Sequence, residues 1–208
     1  MSARITAVNL LSIDQFLVEQ PAVTRASARL AINSVASRKA VPQLRKAMKA
    51  EVNFPAGYLE DPDRFGITKK ATEADLSTSI VARFRPTSLA RFSNTSQEGA
   101  RRTRSVNVRV NKGASKTLPG AFFVHLRRGG DTQDGFNLGL AIRLKPGQRL
   151  KGRKNGGSGI QLAPNLYLLY GPSVDQVFRE VSVAESPQIA EDLQREFVRQ
   201  YVRLSGEA

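Results

Sequence analysis

Apolar positions recur at helical spacing near both ends of the chain and at strand spacing in its middle. Ile5, Val8, Ile13, Phe16 and Leu17 are weakly periodic before Pro21. Residues 21–40 are rich in alanine, the strongest helix former, and Ala28, Ile32 and Val35 fall on one face. Val41, Leu44, Met48 and Val52 continue at near-helical spacing. Pro42 predicts a kink or the first turn of a second helix, because it lacks an N–H and crowds the preceding turn. Arg38, Arg45 and Lys49 border the apolar face as a basic stripe.

Beyond about residue 78 the period changes to two. Residues 79–85 alternate in part. Residues 105–112 alternate throughout, with Val106, Val108 and Val110 on one side and Asn107, Arg109 and Asn111 on the other. That is the pattern of a half-buried antiparallel strand. Residues 121–126, 137–144 and 166–170 predict three more strands of a meander, with turn chemistry at Gly129-Gly130-Asp131 and Asp134-Gly135. Ser186-Pro187 predicts a helix N-cap and first helical residue, ahead of the stripe Ile189, Leu193, Phe197, Tyr201 and Leu204.

The order helix, strands, helix predicts an α+β fold. The expectation is an antiparallel (mixed) β-sheet with a long N-terminal helix and a C-terminal amphipathic helix packed on it. It forms a single domain over 1–208: helical in 1–55, sheet in 78–172 with basic loops at 93–105 and 145–159, and helical again in 173–208. A chain of 208 residues, 40% of them hydrophobic, is long enough to bury such a core.

Composition removes several classes of function. There is no cysteine, so no disulfide framework, thiol nucleophile or Cys-based metal site exists. His125 is the sole histidine, which excludes a multi-His site within one chain. No apolar run approaches the roughly 20 residues of a membrane span, and the N-terminus lacks the pattern of a signal peptide; no membrane partner is expected.

Charge adds a positive indication. Lys and Arg number 32 against 18 Asp and Glu, a net +14, which favours polyanionic partners. The cations are clustered. Residues 21–50 carry seven and no acid; residues 101–116 carry six and no acid; residues 143–154 carry six and no acid. Residues 174–208 reverse the sign, with seven acids and four bases, so basic segments and an acidic end can guide docking between copies. Residues 93–105 are polar and basic, and residues 145–159 combine five glycines with five cations. Both predict flexible segments, ordered against a partner.

Catalytic constellations fail when tested. Gly147 to Lys154 has the glycine spacing of a phosphate loop but Arg153 after Gly152, and no Ser or Thr after Lys154 to hold magnesium. His125 has no nominated orienting carboxylate or nucleophile and reads as structural. Glu60-Asp61-Pro62-Asp63, Asp131 and Asp134 read as turns without calcium-loop spacing. A nuclease needs clustered carboxylates, and the acids here are scattered. The expectation is a non-enzyme with no cofactor and no metal. The candidate contact residues for DNA or an acidic partner are Arg101, Arg102, Arg104, Lys145, Arg149, Lys151, Arg153 and Lys154. Their segments hold no aromatic side chain to stack on bases, and no sequence-reading motif accompanies them, so any nucleic-acid contact is expected to be non-specific.

Several short motifs carry a resemblance. They are Ala31-Ile32-Asn33-Ser34-Val35-Ala36-Ser37, Phe65-Gly66-Ile67-Thr68-Lys69-Lys70-Ala71, Pro119-Gly120-Ala121-Phe122 and Leu169-Tyr170-Gly171-Pro172-Ser173. In this order, from about residue 5 to 204, the chain resembles the minor tail protein Z family of lambda-like tailed bacteriophages and prophages. The resemblance implies a structural virion protein, made in the host cytoplasm and placed in the tail or neck. It would complete the tail at its head-proximal end, contribute to head–tail joining and position the genome end. The implied partners are other tail and neck proteins, copies of itself in a hexameric ring with heterologous contacts, and genomic DNA by non-specific contact. The alternative is a free, non-specific nucleic-acid-binding protein whose affinity falls steeply with salt.

Overall fold

The computed structural model describes residues 22–126, 137–145, 148, 150 and 159–206. In chain order the elements are helix α1 (Ala22–Val35), a π-turn (Ala36–Ala40), helix α2 (Val41–Glu51) and strands β1 (Phe65–Lys69), β2 (Ser79–Ala82) and β3 (Pro86–Ser88). A 3-10 turn (Leu89–Phe92), helix α3 (Gln97–Thr103) and strands β4 (Ser105–Val108) and β5 (Lys116–Pro119) follow. Then come β6 (Ala121–His125), β7 (Leu138–Arg143), β8 (Gly159–Ala163), β9 (Leu166–Ser173) and helix α4 (Val174–Ser205). Every described strand pair is antiparallel, and the class is α+β. The periodicity before Pro21 and the turns at 129–135 lie outside the described residues.

The chain divides into two compact units. Among the described residues, the first joins 22–48, 59–83 and 178–206. Of the predicted apolar stripe, its helices bury Ala28, Val35, Val41, Leu44 and Met48, while Ile32 is half-buried and the unpredicted Ala31 is fully inside. Pro42 lies in the first turn of α2, the second of the two expected outcomes. The turn ahead of it widens, with the Val41 N–H donating to the Ala36 carbonyl five residues back. A wide turn gives room where a proline ring would otherwise crowd the preceding carbonyls. Both the N-terminal and C-terminal helices meet the β1–β2 hairpin. The Phe65 and Phe178 rings lie 5.5 Å apart, and the Arg45 guanidinium sits over the Phe65 ring at 5.8 Å.

The Ser186-Pro187 expectation is corrected. Helix α4 runs unbroken through both residues. Pro187 cannot donate to the Val183 carbonyl four residues earlier, and the Ser186 hydroxyl donates to that same carbonyl at 3.0 Å. The pair therefore repairs a helix interior rather than opening a helix. The true start is Ser173, thirteen residues earlier. The Gln176 N–H donates to Ser173 Oγ at 3.1 Å, and the Ser173 N–H donates to Gln176 Oε1 at 3.0 Å, a reciprocal capping box. Ser173→Ala is expected to cost about 1 kcal/mol in urea denaturation, with Ser173→Asp recovering most of it.

The second unit joins residues 49–58 and 84–177. Strand β9 is its centre. One edge pairs with β7, which pairs in turn with β6; the other takes β8 along its first half and β3 along its second. Strands β6, β7 and β9 are the predicted meander, with β8 inserted before β9. The β4–β5 hairpin and α3 close over one face. Its core comprises Ala90, Ala100, Val106, Val108, Ala121, Leu140 and Leu169. Val106, Val108 and Val110 are buried, as their alternation predicts.

Residues 93–105 are not a loop. They contain α3, whose polar residues are its caps and supports: Ser96 Oγ accepts the Gly99 N–H at 3.0 Å, and Arg104 closes the helix at φ +49°. The helix buries Ala100 alone, so no apolar stripe announces it.

A candidate polyanion-contact surface

In the second unit, Arg101 and Arg102 occupy the last turn of α3 and Arg104 its C-cap. Cations suit that end, where backbone carbonyls run out of partners. The Arg104 carbonyl accepts the Gly120 N–H at 2.8 Å, which fixes the helix end beside the start of β6. Gly120 can make this sharp turn because its φ is +72°. The next residue, Ala121, pairs with Ile142 on β7, so Arg143 follows at the same end of the sheet and Lys145 lies two residues beyond. Two separate stretches of chain, linked through Gly120 and Ala121, thus bring Arg101, Arg102, Arg104, Arg143 and Lys145 to one end of the unit, all five exposed.

Pairing decides how much of this charge is free. Arg102 bonds Glu98 at 2.7 Å, one helical turn earlier, with both side chains more than three-quarters exposed. Such a pair contributes only a few tenths of a kcal/mol and opens readily to a competing anion. Arg101, Arg104, Arg143 and Lys145 have no acidic partner among the described residues. The surface is a set of uncompensated, solvated cations with no shaped pocket, suited to phosphate or carboxylate contact without readout of sequence.

The predicted residues separate into two groups. Arg101, Arg102, Arg104 and Lys145 are brought together. Arg149, Lys151, Arg153 and Lys154 lie outside the described residues, as does most of the resemblance of 147–154 to a phosphate loop. Arg143 joins the surface although sequence reasoning did not select it; its signal is the β6–β7 register, which no composition count contains. Arg109, Lys112 and Lys116 do not join it. They sit at the far end of the β4–β5 hairpin, where Val108 pairs with Lys116.

The other candidates fall to structural duties. Asp61 closes a turn in the first unit: its carbonyl accepts from the N–H groups of Arg64 and Phe65, and its carboxylate accepts the Asp63 N–H and lies 3.3 Å from the buried Arg64. His125 is exposed at the end of β6 opposite Leu138. Among the described residues, no cluster of His, Asp or Glu is placed to hold a metal, and no helix is long and apolar enough to cross a membrane. Comparisons of the chain with known protein families, curated proteins and solved structures found no match.

Proposed function

We propose that this chain is a structural, non-catalytic virion protein of a tailed bacteriophage, a minor tail or tail-completion subunit at the head-proximal end of the tail. It assembles as a closed hexameric ring with other tail and neck proteins. There its cationic sheet end lies against the phosphates of the genome end. The observation that carries the contact role is the gathering of Arg101, Arg104, Arg143 and Lys145 from two separate stretches of chain, none of the four with an acidic partner among the described residues. The tail assignment draws on the resemblance of the four motifs to the minor tail protein Z family.

Native mass spectrometry of the purified chain, alone and with tail tubes, tests the assembly role. A closed ring, or monomers that become ring-bound at tube ends, supports it. A monomer that ignores tubes but binds duplex DNA transfers the case to the non-specific nucleic-acid-binding reading. For the contact role, the double variant Arg101→Glu with Arg104→Glu is expected to weaken binding to a short duplex about ten-fold at low salt and to reduce the salt slope by about two. Fluorescence anisotropy across a salt series reads both numbers.

A further inference from the structure

We propose that the first unit carries a separate oxyanion site, shaped for a phosphate group, in the cleft between the π-turn and the last third of α4. The cleft has a volume of about 310 Å³. That is room for about ten waters, enough for a phosphate or pyrophosphate with part of its hydration shell. Its floor is Val35, which is buried, and its two walls are tied at the base. Ile32 of α1 and Phe197 of α4 pack against the same buried pair, Ala28 and Leu76.

The charges are layered. On the α4 wall, Arg199 donates twice to Glu196, at 2.6 and 2.8 Å, and Arg195 donates to Asp192 at 3.0 Å. Both acids are tucked in, with side chains 16% exposed, while both guanidinium side chains stand out at 62%. Glu196 also accepts from Gln200 at 2.7 Å. Its carboxyl is lowered to about 2 by Arg199 first, then by Gln200 and Ser34, so it stays ionised across the working pH range and braces Arg199 from below. A third acid, Glu191, lies 3.6 Å from Arg195 outside the lining of the cleft and is as exposed as the guanidinium it meets.

On the opposite wall stand Arg38 and Lys39, both exposed, and neither has an acidic partner among the described residues. They sit at the middle of the π-turn, a distortion that inserts one residue into the helix and so re-aims the side chains that follow. Such turns are rare and concentrate at functional sites. The four cations outnumber the two acids of the lining, and the surplus charge belongs to the wall that no acid braces. Planar guanidiniums on one wall and a guanidinium with an ammonium on the other match the several oxygens of a phosphate better than a single carboxylate.

Isothermal titration of the full chain tests this with two probes, inorganic pyrophosphate and a short DNA duplex. The double variant Arg38→Ala with Lys39→Ala is expected to bind pyrophosphate at least about ten-fold more weakly, the loss of two charge-assisted contacts. The same loss is expected when Arg38→Ala and Lys39→Ala are made in an Arg101→Glu, Arg104→Glu background, where the sheet-end surface no longer contributes, and this separates the two sites. If the alanine variant unfolds, Arg38→Gln with Lys39→Gln keeps the stems and repeats the test. A parallel loss of duplex affinity identifies the phosphate as a nucleic-acid phosphodiester; loss for pyrophosphate alone identifies a small phosphate. No heat with either probe, or equal affinities in the wild-type chain and the Arg38/Lys39 variants, overturns the proposal.

Discussion

Phe65→Ala is expected to destabilise the first unit by about 3–5 kcal/mol, a large share of the stability of a protein this size. Phe65 is fully buried on β1. Its ring meets the Phe178 ring of α4 at a centroid distance of 5.5 Å and lies under the Arg45 guanidinium of α2. The Arg45 Nη2 also donates to the Phe65 carbonyl at 3.3 Å. Truncation therefore removes apolar burial, opens a cavity at the meeting point of three elements and leaves Arg45 without the surface its stem covers. Urea denaturation reads the loss as a lower midpoint. Phe65→Leu should lose less than half as much, because most of the volume remains. Phe84 is 62% exposed, and Phe84→Ala should change stability by no more than about 0.5 kcal/mol.

The difference between those two phenylalanines shows what periodicity can and cannot tell. The apolar stripes of α1 and α2 and the valines of β4 bury what their spacing says they bury, because burial of a repeating face is what makes those segments helix or strand. Helix α3 escaped because its identity rests on a cap and a left-handed close, not on a stripe. Strand β8 escaped because four of its five residues are exposed and its neighbours are glycine-rich, so hydrogen bonding to β9 alone defines it. Ser186-Pro187 misled because a Ser-Pro pair opens helices in isolation, whereas here the serine replaces the bond that the proline lacks. The S-x-x-Q box at Ser173 was present in the sequence as a start signal and outranks it.

The cationic surface was half legible. Charge counts pointed to residues 101–104 and 145, but their convergence depends on the Arg104–Gly120 bond and the Ala121–Ile142 register, which are long-range facts. The motifs that carry the family resemblance hold the scaffold that gathers these cations, not the cations themselves. Gly120 makes the β5–β6 turn, and Ser173 caps α4. Gly171 lies so close to Phe92 that a Cβ would stand 2.7 Å from its ring. These are positions where the scaffold tolerates few residues, while the free cations lie outside the motifs. A chain could keep the scaffold and change its contact surface, so the two deserve separate mutational tests.

Asn33 joins two of those motifs, and its replacement is expected to be the second most damaging of the substitutions considered. Its Nδ2 donates to the Ala71 carbonyl at 2.9 Å, and its Oδ1 accepts the Ala71 N–H at 2.9 Å. A single side chain thus satisfies both backbone groups of one buried residue, as a neighbouring strand would. Asn33→Ala leaves an N–H and a carbonyl without partners, at a cost of about 2–3 kcal/mol. Asn33→Asp tests the geometry: the carboxylate still accepts from the N–H but faces the carbonyl with no donor, so it should recover little. Asn33→Leu should fare no better than alanine, because the defect is unpaired backbone rather than lost volume. Chemical denaturation of the three variants, with amide exchange read at Ala71, distinguishes this account. Equal stability of the aspartate variant and the wild-type chain would show that the Ala71 carbonyl finds its partner in water, and that the link between α1 and the segment after β1 is only half as specific as its geometry.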